Sequence, residues 1–143
     1  MRKIIVGTDG SRGANRAIVA AAQLAQVTGA ELCILTVGDN LSDQELKKLG
    51  RIEEGDIGEA LELLSNQVLN QAKKRATQVG AAKIKLRAGS GEPAQVIIEI
   101  AQRENADLVV IGRRGRGRLA GLLLGSVSQK ITSLAPCMVM IVP

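Results

Sequence analysis

Leu108-Val-Val-Ile-Gly112-Arg-Arg-Gly115-Arg-Gly-Arg-Leu-Ala-Gly-Leu-Leu-Leu-Gly125-Ser126 sets a short β-branched apolar run directly before glycines and a hydroxyl. The run reads as a buried strand, and the glycines after it let backbone N–H groups approach an anion closely. Arg113, Arg114, Arg116 and Arg118 add positive field around the same turn. A strand that ends in such a loop and leads to a new helix start is the pattern of a phosphate-holding turn.

Working outward, apolar β-branched runs alternate with helical patterns along the whole chain, which predicts an α/β fold with an open parallel sheet covered by helices on both faces. Five strands are expected: Lys3 to Gly7, Glu31 to Val37, Lys83 to Ala88, Asp107 to Ile111 and Cys137 to Val142. A helix from Ala14 to Ala25 is expected to start on Ser11 as N-cap and stop at Gly29. A long helix from Ile57 to Val79 carries a stripe of Leu61, Leu64, Val68, Ala72, Ala76 and Val79, closed by Gly80. Pro93 opens a helix with Val96, Ile97, Ile100 and Ala101 inward and Asn105 as its stop. Gly125-Ser126 opens a short helix whose apolar positions are Val127, Ile131 and Leu134, ended by Ala135-Pro136.

The segment Gly38 to Asp56 is polar, weakly periodic and longer than usual connections, so it reads as a flap over a site or a partly helical insertion, with Ser42 to Leu49 as a short helix. Lys83-Ile-Lys-Leu-Arg-Ala88 alternates as an edge strand with one wet face does. The last strand, which is apolar, must be covered, and pairing with its copy in a second subunit would do that.

A chain of 143 residues with 45% hydrophobic content has room for one domain, 1–143, with its own core. No apolar run reaches the about 18 residues that cross a bilayer and no signal peptide is visible, so a cytoplasmic protein is expected, with no membrane partner. There is no His, which removes Ser-His and Cys-His nucleophiles and His-bearing metal sites. There is no Phe, Tyr or Trp either, so base stacking on aromatics is unavailable and any nucleobase must lie against aliphatic side chains. A net charge of +5 favours anionic partners but is modest for a dedicated nucleic-acid binder.

Two better-known phosphate motifs fail. Gly115-X-Gly117-X-X-Ala120 mimics the dinucleotide fingerprint, yet it follows the fourth strand and lacks the helix and the later acidic residue. No Gly-Lys-Ser/Thr triplet occurs, so there is no Walker lysine. What remains is a pair of loops at strand carboxyl ends, Gly7-Thr8-Asp9-Gly10-Ser11 and Gly112 onward, which flank the switch point of a 3-2-1-4-5 sheet. Asp9 either bonds a ribose or adenine, helps hold a cation between phosphates, or makes an Asx turn with Gly10. Ser126 either meets phosphate or caps its helix, and the arginines either clamp phosphate or form a solvated face.

The spacing Gly112-X2-Gly115-X9-Gly125-Ser126 resembles the ATP-binding motif of the universal stress protein family. Ile4-Ile-Val-Gly-Thr-Asp-Gly-Ser11, Leu35-Thr-Val37, Gly91-Glu-Pro93 and Gly125-Ser-Val-Ser128 before Ala135-Pro136-Cys137 extend the resemblance over the whole length. The resemblance implies a five-stranded parallel sheet in the order 3-2-1-4-5 of the adenine nucleotide alpha hydrolase-like type. It also implies homodimers paired through the last strand, Cys137 to Val142, and bound ATP or AMP in one subgroup. By the same resemblance Gly112, Gly115, Gly125, Ser126 and Ser128 hold phosphates and ribose, while Thr8, Asp9, Val37 and Val127 line the adenosine pocket. Thr36 departs from the family, whose members often carry His there. In that strand order Cys33 and Cys137 stand roughly 14 Å apart and do not bridge.

The function expected from these residues is a stress-response protein that binds ATP or AMP as a regulatory or sensing ligand, with no catalytic residue assigned. A metal is left open, with Mg2+ or Mn2+ as the ions that accompany phosphates. Two other readings stand beside it: a basic module meeting RNA or an acidic protein through Arg113 to Arg118, and a slow ATPase.

Overall fold

The computed structural model describes residues 1–38, 54–113 and 124–143. Strands β1 (Lys3–Gly7), β2 (Glu31–Val37), β3 (Ile84–Gly89), β4 (Leu108–Gly112) and β5 (Met138–Val142) alternate with helices α1 (Arg12–Thr28), α2 (Glu54–Val79), α3 (Pro93–Arg103) and α4 (Ser126–Leu134). All strand pairs are parallel and their order is β3-β2-β1-β4-β5. The sheet and its order are those expected from the sequence, with strand ends shifted by one residue in β3, β4 and β5.

The period-two alternation of a strand sends Ile4, Val6, Leu32, Ile34, Leu108 and Val110 to one face. There they pack on Ala17, Ile18, Ala21 and Ala25 of α1 and on Leu69, Ala72 and Ala76 of α2. Ile5, Cys33, Leu35, Val109 and Ile111 go to the other face, against Ile97, Ile100 and Ala101 of α3 and Ile131 of α4. Because both faces of β1, β2 and β4 are sealed, these strands are apolar at every central position but Thr36, and each buried Ile, Leu or Val contributes about 1.5–3 kcal/mol. The alanine face of α1 lets that helix lie close over the sheet.

Local chemistry sets the helix ends. Ser11 is the N-cap of α1, its hydroxyl accepting from the Ala14 N–H at 3.2 Å, and Gly29 closes the helix at φ 74°. Glu92 caps α3 through the N–H groups of Ala94 and Gln95, with Pro93 following it, and Asn105 stops the chain in the left-handed region at φ 52°.

Three expectations are corrected. Helix α2 begins at Glu54, not Ile57, so the connection after β2 is shorter than expected. Its buried line runs through Leu69, Ala72 and Ala76, while Leu64 is exposed and the half-buried Ser65 takes its turn, its hydroxyl 3.3 Å from where a Cβ on Gly38 would stand. Leu134 is 62% exposed: α4 meets the core at Ile131, and the next inward position is Ala135, beyond the helix. The short helix expected over Ser42 to Leu49 lies outside the described residues.

Cys33 is buried and Cys137 half-buried, both free thiols, with β1 and β4 between their strands. Burial pushes the Cys33 thiol up to about 11, with the Glu104 carboxylate adding to the effect.

The amino ends of β1 and β4 are tied by Asp107, whose Oδ2 accepts from the N–H groups of Arg2 at 2.8 Å and Lys3 at 2.9 Å, while its own N–H donates to the Lys3 carbonyl. Those two donors hold the Asp107 carboxyl below its ordinary 3.8. Burial acts to raise the Glu92 pKa, but the Gln95 and Ala94 N–H groups and Lys130 outweigh it and the net shift is also downward. A carboxylate depressed on folding stabilises the folded state above its unfolded pKa and loses that contribution as pH falls through the folded one. Urea unfolding of Asp107→Asn should therefore show a flatter loss of stability between about pH 4 and 2 than the parent. An unchanged slope would mean that Asp107 binds its donors no better as a carboxylate than as an amide.

Candidate functional site

The order of the strands reverses at β1 and β4, so the loops after these two strands leave in opposite directions and open a crevice at their carboxyl ends. The two sides meet at the backbone. A Cβ on Gly112 would lie 2.9 Å from the carbonyl carbon of Gly13, 3.0 Å from its oxygen and 3.2 Å from the Ala14 nitrogen. Only glycine fits at 112, because the end of β4 is pressed on the first turn of α1.

On the β1 side the polar residues first serve the loop itself. The Thr8 N–H donates to the Leu35 carbonyl at 2.9 Å, which fixes the exit of β1 beside β2, and the Thr8 hydroxyl accepts from the Gly10 N–H at 3.1 Å. Thr8 is 7% exposed. Asp9 Oδ1 accepts from the Ser11 N–H at 2.9 Å, so the Asx-turn alternative is the one observed, with Gly10 at φ 80°. Val37 is half-buried at the last position of β2, in register with Gly89. Gly38 N–H continues the pairing to the Gly89 carbonyl at 2.9 Å.

On the β4 side a short relay carries the chain from the sheet to α4. Arg113 N–H donates to the Val142 carbonyl at 2.7 Å, and Gly125 N–H donates to the Arg113 carbonyl at 2.8 Å. The hydroxyl of Ser128, only 3% exposed, is shared between the carbonyls of Gly112 at 2.8 Å and Arg113 at 3.0 Å. Ser128 thus stands under the turn and holds it, its one proton directed to main-chain oxygens. Val127 is half-buried against the α3 and α4 side of the sheet.

The start of α4 is chemically open. Its N-cap is Gly125, at φ −72° and ψ 169°, with no side-chain cap hydrogen bond, and Ser126 is the first helical residue, so it does not cap the helix. The first main-chain bond of the helix is Gln129 N–H to the Gly125 carbonyl, which leaves the N–H groups of Ser126, Val127 and Ser128 ahead of it. An anion at this end is favoured by those donors and by the helix dipole.

Thr8, Asp9, Val37 and Gly112 therefore stand at strand ends around the crevice, and Gly125, Ser126, Val127 and Ser128 at the helix start beside it. Gly115, with Arg114, Arg116 and Arg118, lies outside the described residues. Sequence reasoning missed Gly13, the partner of Gly112; a glycine in the first turn of an alanine-rich helix, where it disfavours helix, was the available signal. Among the described residues no three His, Cys, Asp or Glu side chains group as a metal site.

An open parallel sheet wound on both faces, with its crevice at the β1/β4 reversal, is an adenine nucleotide alpha hydrolase-like fold. The chain belongs to the universal stress protein family, whose model matches residues 1–143. Universal stress protein YxiE of Bacillus subtilis is 34% identical over 145 residues, covering 98% of this chain and 97% of the relative. The crystal structure of a universal stress protein in complex with cAMP is similar at a TM-score of 0.73 and 30% identity, covering 99% of this chain and 95% of that one. UspA from Lactobacillus plantarum shares the fold at a TM-score of 0.81 and 23% identity, covering 99% and 97%.

The contact between Gly112 and Gly13 is testable by one methyl group. Gly112→Ala should cost about 1–3 kcal/mol in urea unfolding, since backbone on both sides must move. A neutral substitution would show that β4 and α1 are not in hard contact.

Proposed function

We propose that this chain binds an adenine nucleotide, ATP or AMP, across the ends of β1 and β4, as a regulatory or sensing ligand in a cytoplasmic stress response. The observation that carries the reading is the uncapped start of α4 at Gly125, fastened through Arg113 to the sheet beside the β1 loop. The cAMP held by a relative of 30% identity supports an adenine nucleotide as the ligand class.

In this reading the base lies on Val37 and beside Thr8, an aliphatic pocket suited to a chain without aromatics. Asp9 faces the ribose or a Mg2+ or Mn2+ ion carried by the phosphates. The phosphates meet the N–H groups of Ser126 and Val127, with Gly112, Gly115 and Gly125 allowing close approach, and Ser128 acts from beneath by fixing the turn. The chain lacks His and a Walker lysine, and the reading assigns no catalytic residue.

Replacing Gly125 separates the ligand-binding role from a plain turn. Its backbone angles suit any residue, and an aspartate there would cap α4 and occupy the donors meant for phosphate. Gly125→Asp should leave thermal stability equal or higher and weaken ATP binding by more than about 100-fold in calorimetry. Retained affinity would refute phosphate contact at the helix start. Because the protein lacks the aromatic residues that absorb at 280 nm, co-purified nucleotide in the parent would dominate the spectrum at 260 nm.

We also infer that two copies pair through β5, Cys137 to Val142. This strand is a sheet edge whose apolar residues are all at least partly exposed; its first residue, Met138, is 60% exposed, and Leu134 at the end of α4 is 62% exposed. Light scattering should give a dimer for the parent and a monomer for Leu134→Lys/Met138→Lys, both exposed positions whose change spares the core. A dimer in the double variant would place the interface elsewhere.

A further inference from the structure

Strand β3 is the other edge of the sheet, far from the crevice and from β5. Its pairing with β2 shows which of its main-chain groups are in use. Leu32 N–H donates to the Lys83 carbonyl at 2.7 Å and Gly38 N–H to the Gly89 carbonyl at 2.9 Å, at the two ends of an unbroken ladder. In a parallel ladder a residue turns its N–H and C=O to the same neighbour, and the next residue turns both the other way. Lys83, Lys85, Arg87 and Gly89 therefore bond β2, while Ile84, Leu86 and Ala88 hold theirs out from the sheet. Among the described residues nothing pairs with those three on the open side.

The two faces of this edge differ. Ile84 and Leu86 turn toward α2 and pack on the core beneath it, and Lys83, Lys85 and Arg87 stand on the other face. The side of α2 that carries Gly80 faces α1, where a Cβ would meet Gln26 at 2.6 Å. At about 3.6 residues per turn, Leu64, Val68 and Arg75 run along the opposite side, above the open edge of β3. Leu64 is 42% exposed there and Val68 half-buried, whereas Leu69 toward α1 is buried. Lys85 shares Glu31 with Lys3 and Arg87 meets Glu104, but Arg75 and Lys83 enter no ion pair among the described residues. The edge thus offers unpaired main chain between an apolar ledge and a row of cations.

A sheet edge is closed to every strand by proline, by a bulge or by a charge aimed at its inner face. β3 has none of these: its register runs without a slip from Leu32↔Ile84 to Val37↔Gly89, and its inner positions are apolar. Its cations exclude a second copy of the same edge by like charge and leave it open to the opposite charge.

We propose that the β3 edge binds an extended acidic segment of another protein as a sixth strand. The main chain of that segment pairs with Ile84, Leu86 and Ala88, and its carboxylates fall at every second position against Lys83, Lys85 and Arg87. The apolar side chains between them lie on Leu64 and Val68. Unpaired strand groups match a peptide backbone rather than a phosphodiester, and a chain without aromatics has no platform for unstacked bases.

The probe is a dye-labelled, end-capped octapeptide of alternating Glu and Val, titrated into the whole protein and followed by fluorescence anisotropy. The parent should bind it at least about tenfold more tightly than the Lys-Val peptide, and a Glu-Val peptide N-methylated at every second residue should lose about tenfold or more. Arg75→Glu/Lys83→Glu, at two exposed positions outside the core, should weaken binding about tenfold with an unchanged melting temperature. Ala88→Pro removes an outward N–H and spares the ladder to β2, and it should weaken binding comparably. No binding by the parent, or equal binding by the charge variant, would overturn the inference. Equal affinity for the N-methylated peptide would reduce the contact to charge alone, and tighter binding of an oligouridylate would make the edge a nucleic-acid surface; either result also overturns it.

Discussion

Gly112 against Gly13 is the contact on which the working end of this molecule is built. Strand β4 and helix α1 belong to different βα units, far apart along the chain, and no side chain separates them where they meet. The loop after β4 must therefore rise beside the loop after β1, and the relay from Val142 through Arg113 to Gly125 then aims α4 at the same crevice. Had residue 112 carried a side chain, the strand end would stand off from α1 and the crevice would lose its shape while the sheet itself survived.

The polar residues of the crevice divide by what their atoms are already doing. Thr8 and Asp9 receive main-chain N–H groups of their own loop, and Ser128 gives its proton to carbonyls of the turn above it. The donors left for an anion are main-chain N–H groups at the head of α4. Main-chain donors are rigid and do not depend on rotamers.

Much of this was legible in the sequence because the signals are local. Lys3 to Gly7 and Glu31 to Val37 form strands at the bounds their apolar runs suggest, and Ser11 and Gly29 cap α1 as their chemistry predicts. The turn after β1 was legible as well, since its glycines directly follow an apolar run. What was not legible depends on partners distant in sequence. Ser65 takes an inward turn of α2 because Gly38 leaves room for it, and Leu134 stays outside because α4 stops before its next inward position. The reach of Arg16 to Pro143, 127 positions away, has no sequence signature at all.

The side-chain ion pairs do little for the crevice. Lys3 and Lys85 share Glu31 at 3.9 and 3.4 Å, and Arg87 meets Glu104 at 2.7 Å. These pairs are partly exposed and add little stability. At the carboxyl ends of the strands the fixed electrostatic feature is main chain: the start of α4, whose first N–H groups and dipole face the turn after β4, stays in place whatever rotamers the surrounding side chains adopt.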